Sequence, residues 1–450
     1  MKNLISTQIP TEFGNFKLWV QNGERGRETI ALSSINLDPK GEILLRIHSE
    51  CLTGDTFYSL ACDCGQQKNT ALREISKHGN GIFIYHRQEG RNLGLFKKVQ
   101  AYNLILDGLD THEANILLSG KPDGRDYTNC LEILEKILGQ KSPIVLLSNN
   151  PYKRLFLERA GYKVVMHSLL IEPNLHNKKY FTTKEQKFSH YDAKHSPYIG
   201  VTLWLQDVKE QGEIIAKLVN SFEINDQGRK IFLGLALSPK NGDLKNRQLQ
   251  KHINNFAKKI KNQKNVNLVL HLDYCQQRQF YRELKNFLDS LTFRYSLQIR
   301  TNDSATEKIN LEILDSLKKE NIIFQIRSEQ ISLLKNPEFT EYFQKTGNYL
   351  LLDDSLGRGI SESISTTQEK ILSIVRKGLS HIAVAGGYDS KKLDKIIALE
   401  DFFKIPISVD AESGLRQKGK LNLDKTAEYL KYFFDQNKKP TNRQDKKTKK

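Results

Sequence analysis

The sequence is short of cysteine. Five occur in 450 residues, an odd number, and three of them are Cys51, Cys62 and Cys64. Such clustering argues against a secreted disulfide framework. The opening segment MKNLISTQIPTEF has no apolar stretch of the kind a secretory leader carries. No run of about 18 apolar residues marks a membrane span. We therefore expect a cytoplasmic protein without a membrane partner. Negative charge is also scarce: 69 Lys and Arg stand against 52 Asp and Glu, a formal net charge of +17. A surface of that sign attracts anions such as nucleotides and phosphosugars. The cysteines lack the paired Cys/His spacing of a finger, and the basic stretches lack clustered aromatics. Nucleic acid is therefore not expected as a partner. Part of the excess charge lies in KKPTNRQDKKTKK at Lys438–Lys450, which has no apolar periodicity. Residues 437–450 read as a basic disordered tail.

What is present suffices for two domains: 38% hydrophobic residues over a chain of this length. Residues 1–190 mix both kinds of element. Strands are expected at Lys17–Val20, Thr29–Leu32, Glu42–His48, Gly81–Tyr85 and Ile144–Leu147, and helices at Thr70–His78 and Leu131–Leu138. The irregular order implies an α+β domain. The polar stretch Thr182–Pro197 reads as a linker. Residues 198–436 have a steadier rhythm. Apolar runs recur at Ile199–Leu205, Ile231–Leu237, Val266–Asp273, Phe293–Arg300, Ile322–Ile326, Tyr349–Asp353, His381–Ala385 and Ile407–Asp410. Helix-period segments separate them: Gln248–Ile260, Arg278–Leu288, Leu311–Leu317, Lys370–Lys377 and Lys391–Phe402. Eight such strands predict an α/β domain of the (β/α)8 TIM-barrel kind, with a doubly wound sheet as the alternative.

Thiolates are soft ligands that suit zinc, and three of them leave a tetrahedral position open for water. Spacing alone fits either a catalytic metal or a structural site completed by a histidine. The surroundings narrow the choice. RIHSECLTGDTFYSLACDCG, YHRQEGRNLGL, AYNLILDGLDTHEAN, DGRDY and LLSNNPYKR follow one another in order. In these motifs the sequence strongly resembles GTP cyclohydrolase II, over nearly all of residues 1–190.

The resemblance implies a hydrolase that opens the imidazole ring of GTP. The products would be 2,5-diamino-6-(5-phosphoribosylamino)pyrimidin-4-one, formate and pyrophosphate, as in riboflavin biosynthesis or a related pathway. It implies Zn²⁺ on Cys51, Cys62 and Cys64, Mg²⁺ with the triphosphate, and a homodimer. Asp123 and Arg125 match the family's proton acceptor and nucleophile. A guanidinium is a poor nucleophile, so a phosphate-clamping role for Arg125 stands beside the covalent one. Tyr102 matches a tyrosine of the ring-opening step; the plainer alternative is a buried helix aromatic. Arg46, His48, Ser49, Glu50, Gln67, Glu89, Gly90, Arg91, Thr111, Ser148 and Lys153 fall where the family contacts GTP. Two departures are Ser148, often threonine in the family, and Gly124 between the two catalytic candidates. Cys130 and Cys275 read as buried apolar side chains. His86 and His112 either face the site or lie on the surface. Lys97 and Lys98 read as solvated helix charges.

The barrel resembles, weakly, phosphoribosylanthranilate isomerase, best over residues 348–436. Asp353 or Asp354 would supply an acid after the sixth barrel strand. Gly386, Gly387, Ser413 and Gly414 would offer backbone amides to a phosphate. The first barrel strand, VTLWLQD, lacks the cysteine base of that family. Two expectations stand for this domain: chemistry on the phosphoribosylamine product, or a non-catalytic barrel used for docking or regulation.

Overall fold

The computed structural model describes residues 3–23, 28–169, 171–188, 196–222, 229–237, 243–260, 265–273, 278–300, 311–317, 320–346, 348–353 and 363–434. Cys275, Asp354 and the tail 437–450 lie outside the described residues. The chain divides into two compact units, Met1–Asp192 and a second made of Ala193–Asp401 with Pro406–Phe434.

The first unit is α+β. Among the described residues its seven strands are β1 (Leu4–Thr11), β2 (Gly14–Gln21), β3 (Thr29–Ser34), β4 (Ile43–Ser49), β5 (Gly81–His86), β6 (Ile144–Leu147) and β7 (Val164–His167). They form one sheet in the order β1-β2-β3-β5-β4-β6-β7. The first three strands and β5 pair antiparallel, whereas β4 runs parallel to both β5 and β6. Among the described residues there are eight helices: α1 (Leu52–Asp55), α2 (Cys64–His78), α3 (Glu89–Asn92), α4 (Leu95–Leu106), α5 (Thr111–Ser119), α6 (Thr128–Leu138), α7 (Pro151–Arg159) and α8 (Lys178–Phe188).

Strand alternation sorts the two faces of the sheet. Ile43, Leu45, Ile47, Ile82 and Ile84 pack with Cys130, Ile133, Leu134 and Leu138 of α6. Leu44 and Phe83 point the other way, onto Ala71, Leu72 and Ile75 of α2. Arg46 and His48 share the parity of Leu44, so β4 delivers them to the α2 face, at the carboxyl ends of the parallel strands. Ligands of open α/β sheets gather there. Cys130 is fully buried in the α6 cluster, as its sequence setting implied.

Three expectations need correction. The stretch Thr182–Pro197 is not all linker, because residues to Phe188 belong to α8. His86 and His112 are both buried rather than on the surface, and neither lines the cavity described below. Lys98 is a buried charge on α4, not a solvated one.

The second unit is a closed barrel of parallel strands. They are β8 (Tyr198–Trp204), β9 (Lys230–Ala236), β10 (Val266–Asp273), β11 (Tyr295–Arg300), β12 (Ile322–Ile326), β13 (Tyr349–Leu352), β14 (Ile382–Ala385) and β15 (Ile407–Ala411). Pairing of β15 with β8 closes the ring and excludes a doubly wound sheet. Tyr198, Phe232, Val269, Ile323, Tyr349, Leu351 and Ala383 fill its apolar interior. Tyr198 stacks on Phe232 at 4.3 Å between centroids. Glycine makes room beside this layer. A Cβ on Gly200 would lie 2.5 Å from Asp410 Oδ1, and one on Gly234 would lie 2.2 Å from His271 Nε2. Asp410 and His271 therefore lie across neighbouring strands that have no side chain at the point of contact.

Candidate functional site

A cavity of about 470 Å³ opens off the ends of β4, β5 and β6. That size suits a small-molecule ligand. Cys51, Cys62 and Cys64 line it, as do Tyr102, Arg125 and all eleven residues expected to contact GTP. Asp123 does not; it is buried behind Arg125.

The sulfur cluster is built from two short segments. Cys51 precedes α1, and Cys62 and Cys64 flank the start of α2. The three Sγ atoms all lie within 4.8 Å of one another. Cys51 and Cys62 are 3.7 Å apart, close to the edge of about 3.8 Å expected of a thiolate tetrahedron with zinc–sulfur bonds of about 2.3 Å. Glycine sets this approach. A Cβ on Gly54 would meet Cys62 Sγ at 2.8 Å and Cys51 Sγ at 3.2 Å. One on Gly65 would meet the Gly54 carbonyl oxygen at 2.4 Å. Hydrogen bonds from Cys62 and Cys64 lower the Cys51 thiol far below its usual range, with Lys98 adding to the effect. The same contacts push Cys62 up to about 11 and raise Cys64. Thiols this close share one ionisation, and a divalent cation bound by all three would deprotonate the set. Donor type, spacing and the glycine-lined approach all fit zinc.

A buried polar network supports the cluster. Asp55 accepts from the Cys51 amide at 3.0 Å and from the Tyr85 hydroxyl at 3.0 Å, and lies 3.0 Å from His48 Nε2. Burial lowers the His48 pKa despite that carboxylate. Gln67 accepts from Arg46 at 2.6 Å and donates to Asp63 at 2.6 Å, so both ends of its amide are used. Asp63 also takes Lys184 of α8 at 2.9 Å. Lys187 of α8 pairs with Asp110, the N-cap of α5. Thr111, the next residue, is thereby held at the cavity edge. Neither Asp55 nor Lys184 was anticipated from sequence. The signal for α8 was Phe181 and Phe188, seven apart with Lys184 between them.

The lining is also rich in cations. Arg46, Arg91, Lys98, Arg125, Lys153, Lys179 and Lys184 line the cavity against the carboxylates Glu50, Glu89 and Asp110. This balance favours a polyanion. Arg125 Nε lies 3.0 Å from both Asp123 oxygens, and its NH1 donates to Ser49 Oγ at 3.1 Å. Burial opposes ionisation of Asp123, but Arg125 outweighs it and holds the carboxyl below its usual range. Burial likewise opposes charge on Arg125, and Asp123 outweighs it in turn. Lys153 is buried, donates to the Ile47 carbonyl at 2.8 Å, and has its pKa lowered by burial and by Arg46 and Arg125. Gly90 and Arg91 have left-handed backbones, φ 59° and 57°, and the Arg91 guanidinium rests 3.9 Å from the centre of the Phe188 ring. Gly124 is pinned by its amide to the Arg91 carbonyl at 3.1 Å.

A second cavity of about 190 Å³ lies at the carboxyl end of the barrel. Every strand contributes to it, directly or through its end: Thr202, Ala236, His271, Gln298 and Arg300, Gln325, Asp353, Ala385, and Asp410. Glu412, Gly386, Gly387 and Ser413 also line it, whereas Gly414 packs against the Tyr388 backbone instead. Gln298 donates to Gln325 at 3.1 Å, and Gln325 to Asp353 at 2.9 Å. Burial pushes the Asp410 carboxyl up to about 7, helped by Glu412 and Asp353. Burial, with Arg300, pushes His271 down to about 3. Asp410 and His271 were not singled out from sequence.

Known proteins bear on the two units unequally. A family profile described as GTP cyclohydrolase II matches residues 2–168. GTP cyclohydrolase-2 of Buchnera aphidicola is 43% identical over 194 residues, covering 42% of this chain and 96% of that protein. The Hamiltonella defensa protein of the same name is 42% identical over 196 residues, covering 43% and 99%. Among solved structures, phosphoribosylanthranilate isomerase from Thermotoga maritima covers 52% of this chain and 98% of its own, at 12% identity and a TM-score of 0.34. A score that low carries no argument, and the barrel rests on its strand pairing alone. Through its first unit, with the sulfur cluster and the cationic lining on one cavity, the chain belongs to the GTP cyclohydrolase II family.

Proposed function

We propose that the first unit hydrolyses GTP to 2,5-diamino-6-(5-phosphoribosylamino)pyrimidin-4-one, formate and pyrophosphate, with zinc held by Cys51, Cys62 and Cys64. The supporting observation is that three convergent thiols and a lining of arginine and lysine share one cavity. Zinc bound there would supply a Lewis acid and a nucleophilic water near neutral pH.

The protein's own groups do the rest. Tyr102, whose hydroxyl is 3.1 Å from Thr53 Oγ1, orients water and the opening ring at C8. Arg46 and Lys153, tethered to backbone carbonyls, frame the phosphate end with Arg91, and Mg²⁺ accompanies the triphosphate. Arg125 acts as a phosphate clamp rather than a nucleophile, because its fork is held cationic by Asp123. Glu50, whose pKa is raised by burial, is the carboxyl group we assign to the guanine edge; Gln67 is committed to Arg46 and Asp63. Formate and pyrophosphate released from GTP by zinc-loaded protein test this reading. Cys62→Ser should abolish formate release, and equal release from parent and variant would sink it.

For the barrel we infer chemistry on the phosphoribosylamine that the first unit releases. The supporting observation is a mouth lined from all eight strands, with a carboxyl group poised to exchange a proton near neutrality. Gly386, Gly387 and Ser413 would take the phosphate. β8 carries Thr202 and no cysteine, so the proton would pass through Asp410 or Asp353. Full-length protein supplied with GTP should convert the ribosylamine further, followed by mass and NMR. If the ribosylamine accumulates equally with the parent and with Asp410→Asn, a docking or regulatory barrel is the better reading.

A further inference from the structure

Lys98 has the sequence setting of a surface residue and the position of a buried one. Its side chain is 10% exposed. Its ammonium donates to Glu89 Oε1 at 2.8 Å, Thr53 Oγ1 at 3.0 Å and Cys51 Sγ at 3.2 Å. Glu89 is itself fixed: Oε2 accepts from the Leu52 amide at 2.6 Å, and Oε1 from the Gly90 amide at 2.8 Å. Gly90 closes over the lysine stem, since a Cβ there would sit 3.0 Å from Lys98 Cβ. Thr53 Oγ1 is shared with the Tyr102 hydroxyl. Lys98 and Tyr102 are one turn apart on α4, which puts them on the same face. A continuous chain therefore runs from Glu89 through Lys98 to Cys51 on one branch and to Tyr102 on the other.

We infer that Lys98 is a positioning residue of the ring-opening site: it holds the Cys51 sulfur and, through Thr53, the Tyr102 hydroxyl. The inference rests on reading the three thiols as metal ligands. A lysine needed only for stability would be satisfied by Glu89, yet this one spends further donors on a ligand sulfur and on the threonine that holds Tyr102. An N–H donor on a thiolate withdraws electron density from it. Three thiolates around a dication leave one negative charge, which the ammonium cancels. Groups that hold a metal ligand in this way change metal affinity or activity by about 10- to 100-fold when removed.

The test uses the full chain loaded with Co²⁺, whose sulfur-to-metal absorption band reports donation from the thiolates. Lys98→Met should move that band to longer wavelength. It should also lower kcat for formate release by about 10- to 100-fold, with little change in KM for GTP. Tyr102→Phe should lower kcat and leave the band in place, because the Tyr102 hydroxyl reaches Thr53 and not the sulfur, which separates the two branches. If Lys98→Met does not fold, Glu89→Gln reads the same band with the lysine retained and should move it the opposite way, to shorter wavelength, because the ammonium freed from the carboxylate donates more fully to Cys51. An unmoved band in Lys98→Met overturns the inference, as does a raised KM with unchanged kcat. A parent protein with no such band overturns the metal reading as well.

Discussion

Gly54→Ala adds one carbon at the centre of the sulfur cluster. The new Cβ would lie 2.8 Å from Cys62 Sγ, 3.2 Å from Cys51 Sγ and 3.2 Å from Cys64 Cβ. Ordinary contact is about 3.5–4.0 Å, so Cys62 must retreat by roughly 0.7–1.2 Å. Metal–ligand distances tolerate only about 0.2 Å. In the metal-free protein the Cys62 side chain can rotate away from the added methyl. With all three sulfurs held by one ion it cannot, so the strain falls on the bound state. Overpacking of this kind costs about 1–3 kcal/mol, equivalent to about 5- to 150-fold in metal affinity. Zinc affinity measured by competition with a chromogenic chelator should fall by that factor, with formate release following the occupied fraction. The secondary structure seen by circular dichroism should not change. Parent affinity in Gly54→Ala would refute the argument that this glycine sets the sulfur geometry.

Three further outcomes are expected. Lys184→Met removes the ammonium from Asp63, whose carboxylate stays buried between two of the cysteines; breaking such a pair costs about 3–5 kcal/mol, readable as a lower urea midpoint. A clamp at position 125 predicts that Arg125→Lys keeps measurable pyrophosphate release at a raised KM, whereas no release at any GTP concentration would favour the covalent role. Burial pushes the Asp410 carboxyl up to about 7 when folded, from an ordinary value of 3.8. The folded state therefore holds the extra proton between these values, and its stability falls as pH rises from about 4 to 7. Asp410→Asn should accordingly stabilise the barrel more at pH 8 than at pH 5, by about 2–3 kcal/mol; equal effects on the denaturation midpoint at both pH values would contradict the assignment.

The barrel was legible because its strands are buried on both faces. Runs such as Ile231–Leu237 and Val266–Asp273 are nearly unbroken in apolar character, as parallel strands covered by helices must be. The edge strand β1 left no such trace: LISTQIPT is mostly exposed and polar. The cavity of the first unit was legible through its motifs, down to Thr111 and Lys153. What the motifs did not carry was the internal wiring. Lys98 looks like any helix lysine until the start of α3 and the turn before α1 bring Glu89 and Cys51 onto it. Asp410 read as the end of a strand, and its carboxyl is pushed up first by burial, then by Glu412 and by Asp353 at the end of a different strand. The glycines under Asp410 and His271 are informative only once register pairs Asp410 with Gly200 and Val269 with Gly234.

The tie between Lys184 and Asp63 spans 121 residues, and that separation has a consequence for biosynthesis. The chain emerges from the ribosome amino end first, at about 5–20 residues per second. Cys51, Cys62 and Cys64 are therefore outside for roughly 6–24 s before the helix that closes over Asp63 has been made. During that interval the nascent sulfur cluster is open both to metal and to oxidants. Truncation should act like arrested synthesis: a fragment ending near residue 170 would keep Cys51, Cys62 and Cys64 and lose both Lys184 and Lys187.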